Sequence, residues 1–198
     1  MNAARRQALR LLWRADLHRH LGGGAGWRAG LRAYRLVPGF RFMFWLRLAA
    51  MTRASGGLWR IAHLAARWMH RRLRFKFGIS IPYQTSIGPG FYIGHFGGIV
   101  INEAAIIGRN VNISQGVTIG QSNRGARKGV PVIGEGVYIG PGAVIVGAVK
   151  VGRGSAIGAN AVVTGDLCEN AVAVGSPARV ISTEGSVGYV EHCDYPLA

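Results

Sequence analysis

The sequence predicts a mainly β protein, a β-solenoid of six-residue repeats preceded by a basic α-helical segment. Three observations predict this fold. Aliphatic residues recur every six positions from residue 87 onward, residues 58–77 have a helical period, and the net positive charge falls in residues 1–76. A chain of 198 residues is long enough for one sizeable core and a smaller appendage.

The six-residue period holds in three frames. In each unit the aliphatic residue faces the interior and the glycine that often follows permits the corner. One coil cannot bury its own apolar face, so several coils must stack, at about 4.8 Å per layer. A polar stretch at residues 120–131 interrupts the repeat. The aliphatic positions are Ile87, Ile93 and Ile99, then Ile101, Ile107, Ile113 and Ile119, and finally Ile133, Ile139, Ile145, Val151, Ile157 and Val163.

Residues 1–76 are predicted to be a basic, amphipathic helical segment. We expect helices around residues 3–21, over residues 40–53 and from 58 to 77, separated by "GGGAG" and "SGG". The last helix has an apolar side and a basic side. The apolar side is predicted to contain Ile61, Leu64, Ala65 and Trp68, and the opposite side Arg60, Arg67, Arg71 and Arg74.

The charge is concentrated in the same segment. Residues 1–76 hold 17 of the 24 Lys and Arg residues and a single acid, Asp16, which accounts for the whole net charge of +16. Such a segment suits an anionic surface, and its aromatic residues favour the membrane interface. Two interpretations stay open: these helices bind an anionic membrane, or they pack between subunits. The aromatic residues are Phe40, Phe42, Phe44, Trp45, Trp59 and Trp68.

The sequence argues against a metal or disulfide framework, a secretory signal and a membrane span. The two cysteines, Cys168 and Cys193, have no spacing typical of a metal site or a disulfide framework. The N-terminus lacks the apolar core of a secretory signal, and the most apolar run, at residues 36–51, contains two arginines. We therefore expect a cytoplasmic protein, with a peripheral position at the inner face of the membrane as an option.

A single histidine, His95, interrupts the repeat region in "GFYIGHFGGIVI" at residues 90–101. An imidazole there has two interpretations. It is either a structural residue on a face of the solenoid or a general base, since a neutral imidazole accepts protons near neutral pH. The residues alone favour neither.

Four stretches resemble the hexapeptide-repeat acyltransferases, in the serine acetyltransferase branch, with particular similarity to exopolysaccharide and capsule O-acetyltransferases. The resemblance covers about residues 78–181 and implies a left-handed parallel β-helix over residues 77–181, followed by a tail, 182–198. The stretches are "IGPGFYIGHFGGIVINE", "ISQGVTIG", "PVIGEGVYIGPGAVIVGAVKVGRGSAIGANAVVT" and "AVAVGSPARVIS".

The resemblance also implies the chemistry. His95 matches the family's general base, and acetyl-CoA is the implied acyl donor, with no metal. Arg179, in "GSPAR", would lie near the phosphates of the coenzyme. Because the family's coenzyme site lies between two β-helices, it implies a homotrimer or a larger assembly. The positions matching the family's pantetheine groove are Gly120, Gly140, Pro141, Gly158 and Ala159.

The residues expected to bind the acceptor differ from those of the serine acetyltransferases. Those enzymes have Asp before the catalytic histidine, where this chain has Gly94, and an Asp-Arg-His-Pro run where this chain has Lys128, Gly129, Val130 and Pro131. The arginine that binds the amino-acid carboxylate is therefore missing. We predict a sugar hydroxyl as acceptor, free or lipid-linked, in exopolysaccharide or capsule synthesis, with serine O-acetyltransferase as the alternative.

The sequence gives less support to two other functions. Some β-helices of this type are carbonic anhydrases, but these need three histidines around zinc and the repeat region has one. A non-enzymatic module that binds membrane or nucleic acid is the last alternative. Because the repeat domain is neutral and has no nucleic-acid motif, we do not expect a nucleic-acid partner.

Overall fold

The computed structural model describes residues 1–23 and 26–195. In this part of the chain, α-helices precede a β-helix of short strands, and none of the helices is long and apolar enough to cross a bilayer. Three helices lie where the sequence predicted them, within two residues at each end, whereas α2 was not predicted. The helices are α1 (Ala3–Leu21), α2 (Trp27–Leu36), α3 (Pro38–Thr52) and α4 (Leu58–Phe77).

The strands stack into three sheets, and each full coil contributes one strand to each sheet. Sheet A contains β1 (Ile79–Ser80), β4 (Ile99–Ile101), β7 (Thr118–Gly120), β10 (Val144–Val146) and β13 (Val162–Val163). Sheet B contains β2 (Ser86–Ile87), β5 (Ile106–Ile107), β8 (Val132–Ile133) and β11 (Lys150–Val151). Sheet C contains β3 (Tyr92–Ile93), β6 (Asn112–Ile113), β9 (Tyr138–Ile139), β12 (Ala156–Ile157), β14 (Val172–Val174) and β15 (Arg179–Ser182). All pairings are parallel except that of β14 with β15.

The predicted aliphatic column is confirmed. Every aliphatic position of the three frames is at most 9% exposed, and equivalent residues of successive coils pair in register, as Ile107 does with Ile133. The two-residue shift between the first two frames falls within β4. Both Ile99 and Ile101 point inward there, because alternate residues of a strand face the same side.

The helices α3 and α4 close the first-coil end of the β-helix. Phe42 and Met43 of α3 and Leu73 and Phe77 of α4 belong to the same apolar cluster as the isoleucines of the first coil, such as Ile93. A solenoid exposes the apolar interior of its terminal coil unless something covers it. The two helices are that cover.

The predicted orientation of α4 is wrong. Ile61, Leu64 and Trp68 are exposed, and the buried residues of the helix are Ala66, His70, Leu73 and Phe77. The helix has two apolar stripes, and the one near its C-terminal end packs because it lies against α3 and the first coil. Periodicity identifies the stripes but not which of them meets the core.

A buried ion pair joins α1 and α3 to the first coil. Arg47 donates from Nε to the Asp16 carboxylate at 3.0 Å and from Nη2 to the Gly88 carbonyl at 2.6 Å. The same carboxylate accepts the backbone N–H of Gly90, at 3.0 Å, and of Phe91, at 3.1 Å. The helical half is thus tied to the coil through backbone groups of the coil itself.

The C-terminal tail runs back along the β-helix. Ser186 donates its N–H to the Gly154 carbonyl at 2.7 Å, and the Tyr189 ring stacks on the Tyr138 ring at 4.4 Å between centroids. Further along, Asp194 contacts His18 of α1 at 2.8 Å. The predicted boundary at residue 182 is therefore only the end of β15, since the tail packs on the same body.

Two buried histidines should make the fold sensitive to acid. Burial lowers the pKa of His70 to about 4, with a contribution from nearby Arg74, and burial together with Arg19 lowers the pKa of His20 to about 4. A histidine in the unfolded chain titrates near pH 6.5. The stability that comes from keeping each ring neutral is complete above about pH 6.5 and is lost as the pH falls toward about 4.

We expect the free energy of unfolding to fall across that window by roughly 3 kcal/mol for His70. Denaturant titrations between pH 7 and pH 4 measure this. His70→Leu should flatten the profile, and His192→Ala, at an exposed position of the tail, should not. The same slope in His70→Leu as in the parent chain would contradict the assignment.

Candidate active site

His95 lies in the turn that connects β3 of sheet C to β4 of sheet A in the first coil. Its side chain is exposed. Among the residues that the structure describes, none is hydrogen-bonded to the imidazole, and no carboxylate oxygen lies within 4.0 Å of a ring nitrogen. The ring is therefore accessible to a ligand from solvent.

The end of α4 supports this turn. Gly78 ends the helix in a left-handed conformation with φ of 61°, and a Cβ at this position would lie 3.3 Å from the backbone nitrogen of Gly98. The Phe77 ring packs against the Phe96 ring, with 5.4 Å between the centroids. The residues on either side of His95 are thus held between a helix end and the next coil.

The turns of successive coils stack as a column of residues with positive φ. Gly98, Gly116, Gly142 and Asn160 have φ between 56° and 74°. A Cβ on Gly98 would lie 3.3 Å from the Gly116 Cα, and a Cβ on Gly116 would lie 3.3 Å from the Gly142 Cα. The Gly116 N–H donates to the Gly97 carbonyl at 2.8 Å, so the second coil holds the turn that bears His95.

Four predicted coenzyme-binding residues lie at the same corner as His95. Gly140 and Pro141 follow β9, two coils away, and Gly158 and Ala159 follow β12, three coils away. At about 4.8 Å per coil these layers lie roughly 10 and 14 Å from His95. A Cβ on Gly140 would lie 2.9 Å from the Ala159 backbone nitrogen, so that glycine leaves no room for a side chain.

Of the other two predicted residues, Gly120 lies away from this corner, and Arg179 lies at its far end, beside the last coil. Gly120 is the last residue of β7, at the opposite end of the sheet A strands from the His95 corner. Its carbonyl accepts the Gly147 N–H at 3.2 Å. Arg179 begins β15, next to the last coil, and its exposed guanidinium donates to the Ala178 carbonyl at 3.1 Å. The structure therefore brings five of the seven predicted site residues together at one corner, with Arg179 at the far end of that corner and Gly120 elsewhere.

Gln115 lies at the same corner but is not among the residues that the sequence predicted for the site. It is exposed in the second-coil turn, between the layers of His95 and Pro141. The repeat itself holds the signal, because His95, Gln115, Pro141 and Ala159 each stand two positions after an inward isoleucine. This fixed offset from the inward isoleucine is the sequence signal that points to Gln115.

No group of three His, Cys, Asp or Glu side chains is placed to hold a metal ion within residues 1–23 and 26–195. In this part of the chain the three-histidine cluster that the carbonic anhydrase alternative requires is therefore missing.

Comparison with known proteins identifies the family of the chain. Residues 131–165 match the family model described as "Bacterial transferase hexapeptide (six repeats)". The chain is 38% identical over 149 residues to a serine acetyltransferase of Helicobacter pylori, covering 75% of this chain and 84% of that protein. The chain belongs to the serine acetyltransferase family. It is therefore an acyltransferase, as predicted.

Other members of this acyltransferase family are also similar. A Mycobacterium tuberculosis serine acetyltransferase is 42% identical over 130 residues, 65% of this chain and 57% of that protein. The structure of soybean serine acetyltransferase complexed with serine matches with a TM-score of 0.70 and 32% identity, covering 88% of this chain and 70% of that one. The enzyme from Brucella abortus matches with a TM-score of 0.70 and 29% identity, covering 91% and 70%. The predicted left-handed parallel β-helix is confirmed.

The glycine column gives a test of how the His95 turn is held. Gly116→Ala puts a side chain at φ of 74°, 3.3 Å from the Gly142 Cα, so it should lower the free energy of unfolding by about 1–2 kcal/mol. Gly165→Ala is the matched control, because a Cβ there meets no atom within 4 Å. Denaturant titration measures both, and equal stabilities for the two variants would contradict the proposed packing.

Proposed function

We propose that this acyltransferase moves the acetyl group of acetyl-CoA to a hydroxyl group, with His95 as the general base. The observation that carries the proposal is the position of His95. It is the one histidine of residues 78–181, it is exposed, and it begins a column of closely stacked turns. A structural histidine would be expected to pack or to hydrogen-bond within the coil.

The chemistry needs one proton to be moved. The imidazole of His95 takes the hydroxyl proton as the acceptor oxygen forms its bond to the thioester carbonyl carbon. The tetrahedral intermediate then collapses, the carbon–sulfur bond breaks, and the coenzyme leaves as a thiol with the proton that the imidazole returns. Within residues 1–23 and 26–195, no acceptor is paired with the N–H of Gly97 or Gly98, so these two donors are candidates to stabilise the oxyanion.

The corner offers a path for the coenzyme. Pro141 and Gly158 are partly exposed and Ala159 is exposed, so these turns offer a surface to the coenzyme, whereas Gly140 is buried beneath them. Gly175, which follows β14, lies four coils from His95, roughly 19 Å at about 4.8 Å per coil. Arg179 pairs with Val174 just before it and can meet the phosphates while the thioester reaches His95.

Serine is the first candidate acceptor. The similar proteins are named serine acetyltransferases, and one of the matching structures is complexed with serine. The comparisons thus support the serine alternative better than the sugar acceptor that the sequence favoured. The polar loop at 121–131 supplies Arg124 and Lys128, neither of which contacts an acid in the described part of the chain, as cations for a carboxylate.

A sugar hydroxyl is the second candidate, and one observation favours it. Gly129 stands where the serine enzymes have their carboxylate-binding arginine. It has φ of 141°, and a Cβ there would lie 3.1 Å from the Ala148 Cβ. The loop therefore follows a path on which an arginine at this position would be strained. A sugar needs no carboxylate ligand.

We also propose that the site is completed between copies of the chain, in a trimer or a larger assembly. The His95 corner lies at the start of the sheet A strands and the loop after Gly120 lies at their end, so one chain does not bring them together. A neighbouring β-helix could place its own loop at the corner. Sedimentation of the active protein tests this, and an active monomer would contradict it.

Replacing the imidazole tests the role of His95. We expect His95→Ala to lower the rate of CoA release roughly 10²–10⁴-fold, the range of general-base catalysis. The side chain is exposed and makes no hydrogen bond in the described structure, so the melting temperature and acetyl-CoA binding should stay near those of the parent. His192→Ala is the matched control. A folded His95→Ala variant with the parent rate would contradict the proposal.

The two acceptors are distinguished by a matched pair of substrates. L-serine and its methyl ester differ in the charge of the carboxyl group. If Arg124 or Lys128 binds the carboxylate of serine, we expect kcat/KM for serine to exceed that for the ester by about tenfold or more, whereas without a carboxylate ligand the two values would agree within about threefold. A tenfold preference for serine, lost in Arg124→Gln or Lys128→Gln, would show that the loop replaces the missing arginine. CoA release with a sugar but not with serine would exclude the first candidate.

A further inference from the structure

The helical half, residues 1–76, exposes charge of one sign. Its single acid, Asp16, is fully buried and paired with Arg47. Of its 17 basic residues, only Arg19 and Arg47 are buried. In the described part of this half no exposed carboxylate offsets the remaining cations, so its surface has no charge with which to complement a second copy of itself.

Helix α2 combines this charge with exposed apolar side chains. Ala33 is its one buried residue. The guanidinium of Arg28 lies over the Trp27 ring, 5.3 Å from the centroid. Apolar and cationic side chains alternate along the helix: Trp27, Leu31 and Leu36 are 76%, 47% and 67% exposed, and Arg28, Arg32 and Arg35 stand between them.

An aromatic cavity of about 770 Å³ lies between α1, α2 and α3. Trp27 and Leu31 of α2 line one side, and Tyr34 lines it further along the same helix. Trp13 and Phe44 line the other side, with their rings stacked 4.3 Å apart. The wall away from α2 is therefore ordered by ring stacking, and apolar space remains beneath the helix.

The charged residues around the cavity have the same sign. Arg10 and Arg14 of α1 line it and are exposed. On the outer side of α2, a second groove of about 470 Å³ shares Trp27 and Leu31 and adds Arg32. Apolar volume surrounded by guanidinium groups suits a molecule with an anionic head and an apolar body, many of which are presented together by a lipid bilayer.

We propose that α2 and this cavity, together the α2 surface, form a docking surface for an anionic lipid bilayer. Trp27, Leu31 and Leu36 enter the boundary between headgroups and acyl chains, where an amphipathic helix lies in the plane of the membrane. The arginines between them extend to lipid phosphates. The charge of the α2 surface disfavours a second copy facing it, and its exposed apolar side chains distinguish it from a surface that is merely cationic.

Flotation of the full chain with vesicles tests the proposal. The vesicles are phosphatidylcholine alone, or phosphatidylcholine with about one third phosphatidylglycerol, each at about 0.05 M and 0.5 M NaCl. We expect the protein to float with the anionic vesicles at low salt, to float less at high salt, and to stay in solution with neutral vesicles. Quenching of Trp27 by brominated acyl chains, obtained as the difference between the parent and Trp27→Phe, should accompany flotation.

Two sets of variants, each with a matched control, locate the surface. Arg28→Gln/Arg32→Gln/Arg35→Gln should lower the partition coefficient roughly a hundredfold. The control triple changes three exposed basic residues of the β-helix domain, Arg127, Lys150 and Arg153, to Gln. Trp27→Ser/Leu31→Ser should lower it tenfold or more, against the exposed pair Ile181→Ser/Val187→Ser. Circular dichroism and CoA release confirm that each variant is folded.

Three results would overturn the proposal. The first is a parent chain that stays in solution with anionic vesicles at low salt. The second is an equal loss of flotation in the Arg127/Lys150/Arg153 control, which would mean diffuse electrostatic attraction. The third is α2 variants that keep their lipid binding but lose the assembly state or lose binding to duplex DNA, which would assign the surface to a second copy or to nucleic acid.

Discussion

The backbone hydrogen bonds between successive coils are the constraint on which the rest of the molecule depends. Strands of two or three residues have almost no stability of their own, and each is held by the coil above and below it. Along sheet C, the N–H groups of Tyr92, Asn112, Tyr138 and Ala156 each donate to the next coil at 2.8–2.9 Å. His95 sits in a turn between two such strands, so backbone register sets its position and side-chain packing contributes less.

The first coil needs additional contacts, because no further coil stacks on its open side. The helices α3 and α4 cover its apolar interior, and the pair formed by Asp16 and Arg47 joins the helices to the exposed backbone groups of that coil. Burying an ion pair is costly unless its remaining hydrogen-bonding capacity is filled. Here the Gly88 carbonyl accepts a hydrogen bond from Arg47, and the N–H groups of Gly90 and Phe91 donate to Asp16. The same hydrogen bonds therefore satisfy both the buried charges and the unpaired backbone groups of the first coil.

The features that could be read from the sequence are those set by a strict period. The inward aliphatic residues and the loop at 120–131 follow from six-residue spacing, and every predicted inward position is buried. The orientation of α4 could not be read, because that helix has two apolar stripes and tertiary contact selects one. Helix α2 was missed because it is short, follows a glycine-rich break and buries only Ala33. Gly120 was assigned by resemblance, and the structure separates it from the corner along which the other predicted site residues lie.

The turn that bears His95, the proposed general base, lies where the two halves of the chain meet. The strand β3, which leads directly into His95, is contacted by both α1 and α3, and the turn itself rests on the end of α4 through Gly78 and Phe77. These packed side chains and backbone contacts therefore help to fix the position of the turn. In the described part of the chain, no helix packs on β14 or β15 at the opposite end of the β-helix, where Arg179 lies. The His95 end of the proposed site thus rests on the cationic helices, whereas the Arg179 end of the proposed coenzyme path rests on the last coil.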